Sequence, residues 1–241
     1  MEQARFRAAI IALLISSRSA SPQLPAGRVA LLSQGTTSGN LYVNPVLGLR
    51  YQFPEGWTVN DKITTVPHQF TWVDQPGAKT PGGSTTQCSR NLLFVTKHPE
   101  GMETNSFDPM ALMVAVDPAC FPEITFPRSL TDRDAVQKAA AQVLQHLQTP
   151  GAVVRAPARA RAFDNAGTVM LEVWRPLSFT TREPRRGAGA TIRNVDRSVL
   201  MMPAGGYWIV WIFVSGDDVD MDKLKSTKIF LDVPGESPAN K

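Results

Sequence analysis

The sequence predicts an α/β fold: a three-layer sandwich in which a central, mostly antiparallel sheet is flanked by helices. Residues 207–214 (YWIVWIFV) are apolar at both alternating sets of positions, so this strand needs cover on both of its faces. Residues 135–147 place apolar side chains at three- and four-residue spacing, which is typical of a helix that packs one face on a sheet. The 19 prolines and 17 glycines indicate many turns around a β-rich core.

The first 19 residues have the pattern of a secretory signal peptide. Arg5 and Arg7 precede a short apolar run at residues 8–15, and Ser17 and Ser19 fit the small positions of a cleavage site. A disordered amphipathic start, or a misassigned initiation codon, is the alternative. The signal predicts a secreted or periplasmic protein with no stable membrane insertion after cleavage.

The predicted domain follows a linker. Residues 20–40 are rich in Ser, Gly, Thr and Pro and are interpreted as flexible. The α/β domain is expected at residues 41–233 and a polar tail at 234–241. The leader holds three arginines and one glutamate, so its removal lowers the formal net charge from +4 to +2. A nearly neutral chain offers no electrostatic argument for nucleic acid or an anionic membrane.

Two apolar runs, NLLFVT and ALMVAV, are predicted to pair as a hairpin that carries the two cysteines. A register with Leu93 opposite Ala115 also sets Cys88 opposite Cys120, because the two pairs of residue numbers have the same sum. An exported chain with two cysteines so placed is predicted to form this disulfide. Two buried free thiols and a half-formed metal site are the alternatives.

The clearest helix is predicted to begin at Thr131, with Asp134 as the second member of a capping-box-like pair. The Thr-Pro-Gly at residues 149–151 ends it. Turn residues then separate further strands, with hairpin turns at residues 165–167 and 203–206. A second helix begins at Asp217, with acidic residues early and lysines late, as the helix dipole favours.

The opening and the end of this domain resemble those of PsbP/Mog1-like domains. The opening is NPVLGLRYQFPEGWTV at residues 44–59, and the end is the apolar strand from Tyr207, an acidic helix and a short apolar segment. The chain is also similar to secreted bacterial proteins of that fold. The resemblance implies a binding or accessory role, as for the extrinsic photosystem II subunit or the partner of a small nuclear GTPase. Neither role transfers residue by residue.

No familiar catalytic constellation is present. The sequence contains no HExxH or GxSxG motif, and its three histidines share no metal-binding spacing. The acidic run at residues 217–222 lacks the glycine and terminal glutamate of an EF-hand loop and is interpreted as a helix start. We therefore assign no catalytic, cofactor-binding or metal-binding residue.

An arginine-rich segment is the candidate partner-binding loop. Arg182, Arg185, Arg186 and Arg193 surround two glycines in REPRRGAGATIR, which matches no phosphate-binding loop. A solvated hairpin loop is the alternative. Residues 60–87 form the second predicted contact loop.

The sequence thus predicts an exported, non-catalytic binding or accessory protein with a protein partner in the cell envelope. One alternative is a hydrolase or metal-dependent enzyme whose site is assembled from loop residues. A structural envelope protein with no ligand is another.

Overall fold

The structure, a computed structural model, describes residues 28–60, 71–74, 88–97, 108–147, 149, 151–165, 167–182 and 190–231. About half of these residues lie in antiparallel strands. The strands are β1 (Thr36–Ser38), β2 (Leu41–Asn44), β3 (Leu49–Gln52), β4 (Thr58–Val59), β5 (Ser89–Thr96), β6 (Met110–Val116), β7 (Ala152–Val154), β8 (Arg159–Asn165), β9 (Thr168–Arg182), β10 (Ala190–Ala204), β11 (Tyr207–Ser215) and β12 (Lys228–Leu231). The helices are α1 (Arg133–Gln145), α2 (Asp218–Lys225) and 3-10 turns at Arg28–Leu31 and Pro118–Cys120.

These strands form two sheets. The larger has eight strands in the order β4-β5-β6-β11-β10-β9-β7, with β8 also paired to β9. The smaller has four strands in the order β1-β2-β3-β12. The β9–β10 hairpin is the longest ladder and runs from Arg182 opposite Ala190 to Leu171 opposite Met201.

Strand β11 lies at the centre of the larger sheet and is buried along its whole length, as its sequence predicts. One set of its side chains joins a core that includes Val136, Ala139 and Val143 of α1. The alternate set, which includes Trp211, joins a second core with Tyr51 of the smaller sheet. The larger sheet is therefore covered by a helix on one face and mainly by a second sheet on the other.

The predicted three-layer sandwich with flanking helices is wrong. The need for cover on both faces of β11 was predicted correctly, but four short strands supply most of it on one face, together with Met221 and Leu224 of the short helix α2. The smaller sheet is closed by a pairing distant in sequence, in which Ile229 lies opposite Tyr51. Periodicity within a segment reports local structure and carries no information about such a pairing.

The predicted disulfide between Cys88 and Cys120 is confirmed, with Cα atoms 5.9 Å apart. The register that suggested it is wrong, because Leu93 lies opposite Met113 and a bulge interrupts the β5–β6 ladder. Cys120 instead reaches Cys88 through the 3-10 turn Pro118–Cys120, which Asp117 caps by accepting a hydrogen bond from the Ala119 amide.

The start of α1 also differs from the prediction. Asp132, rather than Thr131, is the N-cap, and its carboxylate accepts hydrogen bonds from the amides of Asp134 and Ala135. Asp and Thr are both favoured at this position, so composition alone did not distinguish the two neighbours.

The segment predicted as a linker is partly folded against the domain. Within residues 20–40, the structure places a 3-10 turn and β1, and the side chains of Val29 and Leu32 are buried. The predicted signal peptide and tail lie outside the described residues. No helix among the described residues is long and apolar enough to span a bilayer.

Candidate partner-binding site

The arginine-rich segment predicted as a contact loop runs from the end of β9 into β10. Arg182 occupies the last described position of β9, and Arg193 is exposed on β10 opposite Phe179. Arg185 and Arg186 lie outside the described residues, as does most of the second predicted loop at residues 60–87. Both loops therefore remain predictions.

Of the three histidines, the structure describes His146, which is buried at the end of α1. Its ring stacks on Trp72 with centroids 5.1 Å apart, and its Nε2 lies 2.9 Å from the Glu123 carboxylate. Its Nδ1 lies 2.9 Å from the Val73 carbonyl oxygen. These contacts join residues 71–74 to the end of α1, which is a structural role.

The most distinctive charged feature is an open sheet edge made by β7 and β8. Both strands pair with β9, and neither pairs with any other strand in the described part of the chain. Alternate backbone amides and carbonyls of these strands consequently point away from β9. We call residues 152–165 the β7–β8 edge.

The side chains of the β7–β8 edge are mainly basic and apolar, and its one carboxylate, Asp164, accepts a hydrogen bond from the Gly167 amide at the turn. Arg159 and Arg161 are exposed on β8, and Val153 and Val154 on β7 are 65% and 41% exposed. Exposed apolar side chains are uncommon on an unpaired edge strand, because charged residues or proline usually protect such edges from aggregation.

A buried glutamate, Glu172, pairs with basic side chains at the β7–β8 edge. This glutamate of β9 is 1% exposed and lies directly opposite Arg161. Its carboxylate accepts a hydrogen bond from the Arg161 Nε at 2.5 Å, and others from the Lys225 Nζ and the Ser198 hydroxyl, each at 2.8 Å. Burial alone would raise the pKa of Glu172, but these bonds outweigh burial and lower it.

Lys225 reaches this site because Asn165 ties the turn after β8 to the chain that follows α2. The Asn165 amide donates to the Thr227 carbonyl oxygen, and its Oδ1 accepts a hydrogen bond from the Ile229 amide at 2.9 Å. Lys225, the last residue of α2, is thereby held against the Glu172 carboxylate.

Arg159 supplies a positive charge that no carboxylate in the described residues neutralises. Its guanidinium lies over the Trp174 ring, 5.5 Å from the centroid, which is the geometry of a cation–π contact. Arg159, Arg161 and Lys225 together carry three positive charges against the single negative charge of Glu172. The local surface is therefore basic although the chain as a whole is nearly neutral.

Strand β8 lies between two depressions. On one face, the three cations, Glu172 and Trp174 line a cleft of about 250 Å³. On the other, β8 and the start of α1 line a cleft of about 570 Å³, to which Val136 contributes an apolar wall and Arg133 a further cation. An extended segment added along β8 would have room for its alternate side chains in both clefts.

A second basic cleft, of about 640 Å³, lies beside the turn at residues 54–56 and is lined by Lys97, Lys223 and Lys228. Its charge is partly neutralised, because the buried Asp220 carboxylate accepts hydrogen bonds from the Lys97 Nζ at 2.8 and 3.0 Å. The hydrogen bond to Asp220 raises the pKa of Lys97. The edge strand at this cleft, β12, is partly covered, because the Ile229 amide donates to Asn165 and the Ile229 carbonyl oxygen accepts a hydrogen bond from the Thr168 hydroxyl. The β7–β8 edge is therefore the stronger candidate.

Sequence reasoning missed the β7–β8 edge. Its charged residues come from β8, β9 and α2, and only the Arg-Ala alternation at residues 158–162 is a local signal. That alternation identifies a half-covered strand, because Ala158 and Ala160 pack on the α1 core while the arginines lie on the other face.

Glu172→Gln is expected to destabilise the protein by about 2–3 kcal/mol at neutral pH, because it leaves Arg161 and Lys225 without a negative partner. Because the pKa of Glu172 is lowered in the folded state, the stabilisation is complete above the unfolded-state pKa of about 4.3. It is lost as the pH falls through the folded-state pKa. Urea unfolding of both proteins should therefore show a difference that shrinks below pH 4. An equal difference at pH 3 and pH 7 would contradict this role.

Neither the protein-family models nor the curated proteins include a match to this chain. Among the described residues, no group of three or more His, Cys, Asp or Glu side chains is placed to hold a metal ion. The functional interpretation rests on the β7–β8 edge, with its open strands and its three cations.

Proposed function

We propose that the protein is an exported binding protein that holds an acidic, extended segment of a protein partner along the β7–β8 edge. The observation that carries this proposal is the open edge of β8, with cations and clefts on both of its faces. Backbone hydrogen bonds to an added strand would give affinity, and the arginines would select acidic side chains.

The charge and geometry favour an acidic partner over other classes. Arg159 retains an un-neutralised charge on the face of Trp174, and a guanidinium binds a carboxylate with paired hydrogen bonds. The exposed Val153 and Val154 extend the surface with apolar contacts in line with β8. A mixed basic and apolar edge suits a peptide better than a small molecule, which usually needs a more enclosed pocket.

Export is part of this proposal and is supported by the disulfide. A bond between Cys88 and Cys120 is consistent with an oxidising compartment. The signal peptide predicted at the start of the chain and a partner in the cell envelope agree with that compartment. The resemblance to PsbP/Mog1-like domains supports a binding role rather than catalysis and remains a prediction.

Reversing the charges of Arg159 and Arg161 is expected to weaken the binding of an acidic probe at least tenfold. A fluorescein-labelled glutamate-rich decapeptide, titrated with the mature chain and followed by fluorescence anisotropy, measures this. Each reversal removes an attraction and adds a repulsion, together costing about 1.5–3 kcal/mol of binding free energy at low salt.

Lys138→Glu is the matched control, because Lys138 is exposed on α1 and lies outside both clefts that flank β8. It changes the net charge in the same direction and should alter the affinity less than twofold. If the control and the edge variant weakened probe binding equally for each reversed charge, the probe would respond to net charge alone. The proposal would then be rejected.

A further inference from the structure

Two arginines face each other across the β9–β10 ladder. Arg197 of β10 lies directly opposite Arg175 of β9. Val195 and Val199, two positions to either side of Arg197, belong to the core under α1, so Arg197 and Arg175 project to that face. Like charges directly opposite on neighbouring strands repel each other. The pair therefore needs a negative partner.

Arg197 has no such partner in the described part of the chain. Its side chain is 0% exposed, and its Nε, Nη1 and Nη2 make no hydrogen bond there. The Arg175 Nε is also buried and without a hydrogen bond among these residues. The position opposite Arg197 on β11 is Val214, which is fully buried. A guanidinium brings five N–H donors, so the site holds several unused donors in an apolar environment.

The nearest acidic residues along these strands are committed elsewhere. Asp196 precedes Arg197 and so points to the opposite face of the sheet, where its carboxylate accepts a hydrogen bond from the Arg155 guanidinium at 2.7 Å. Glu172 also lies on that opposite face and is held by Arg161 and Lys225. Burial and the nearby Arg175 lower the pKa of Arg197 to about 10, which leaves it cationic at neutral pH.

We propose that Arg197 and Arg175 bind a small inorganic anion, of the size and charge of chloride, inside the larger sheet's helix-covered face. Because Arg197 is completely enclosed, its guanidinium cannot contact an organic ligand or a macromolecule from solvent, which favours a small ion. A single negative charge between the guanidiniums would use the free donors and offset the repulsion between the two strands. The half-buried Arg175 gives the ion a route from solvent. This site is independent of the β7–β8 edge.

Thermal unfolding with chloride as the probe tests this site. Chloride is exchanged for gluconate at constant ionic strength, so that general screening does not change. Because the ion binds only the folded state, we expect the wild-type Tm to rise by about 3–5 °C for each tenfold increase in chloride above the Kd.

Arg197→Met should abolish that dependence. The variant is expected to fold, because an apolar side chain of similar length replaces a buried charge. Arg193→Met is the matched control, since Arg193 is exposed on the same strand, and it should keep the wild-type response. Arg175→Met should fold as well and weaken the response. If Arg197→Met does not fold, an undiminished response in Arg175→Met would overturn the proposal.

Crystals grown in bromide give a direct reading. An anomalous peak within hydrogen-bond distance of the Arg197 guanidinium would support the site. A wild-type Tm that responds to chloride no more than Arg197→Met does would overturn it. So would a carboxylate of the chain itself in contact with the Arg197 guanidinium in these crystals.

Discussion

Replacing Trp211 by alanine is expected to lower the free energy of unfolding by about 3–5 kcal/mol. Trp211 is fully buried on β11, and its ring meets Tyr51 of the smaller sheet edge-on, with centroids 6.1 Å apart. The substitution would leave a large cavity between the two sheets. Equilibrium unfolding in urea, followed by far-ultraviolet circular dichroism, measures the loss.

Trp211→Phe is the informative comparison for this prediction. It keeps an aromatic ring against Tyr51 and removes an indole N–H that has no hydrogen-bond partner among the described residues. We expect a loss of about 1–2 kcal/mol from the smaller volume, partly offset by removal of that donor. If Trp211→Ala cost no more than Trp211→Phe, the smaller sheet would not pack on β11 as described.

The second large effect is expected from loss of the disulfide. Cys88 and Cys120 are separated by 32 positions, and closing a loop of that size contributes about 3–4 kcal/mol in the chain-entropy model. The double variant Cys88→Ala, Cys120→Ala should therefore unfold about 10 °C below the oxidised wild type. Alanine is suitable because both sulfur atoms pack against the core under α1.

Reduction of the wild type provides the control for this prediction. The reduced protein and the double alanine variant lack the same cross-link and should unfold within a few degrees of each other. An oxidised wild type that is no more stable than either would show that the cross-link does not restrict the unfolded chain.

The sequence pattern correctly predicted the features of the fold that depend on residues close together in the chain. The two-sided burial of β11, the helix that becomes α1 and the hairpin turn before β11 all follow from spacing and turn residues. The disulfide was predicted with the wrong register. In the β5–β6 ladder Ser89 lies opposite Val116, and the 3-10 turn Pro118–Cys120 brings Cys120 back to Cys88.

The smaller sheet and the candidate site could not be predicted in the same way. Strand β12 joins β3 from the far end of the chain, and its four residues carry no signal for that partner. At the candidate site, Glu172 pairs with Arg161 of the neighbouring strand β8 and with Lys225 of α2. The burial of Arg197 could not be predicted either, because a single arginine in a strand pattern is usually interpreted as exposed.

Site-specific photo-cross-linking in the native cell tests the proposed function most directly. A photoreactive amino acid replaces Ala162 on the exposed edge of β8, with Lys138 on α1 as the control position. The proposed function predicts one cross-linked protein species from position 162, attached through an acidic segment, and none from position 138. Cross-links from Arg185 in the arginine-rich loop, with none from position 162, would contradict it and move the partner-binding surface to that loop.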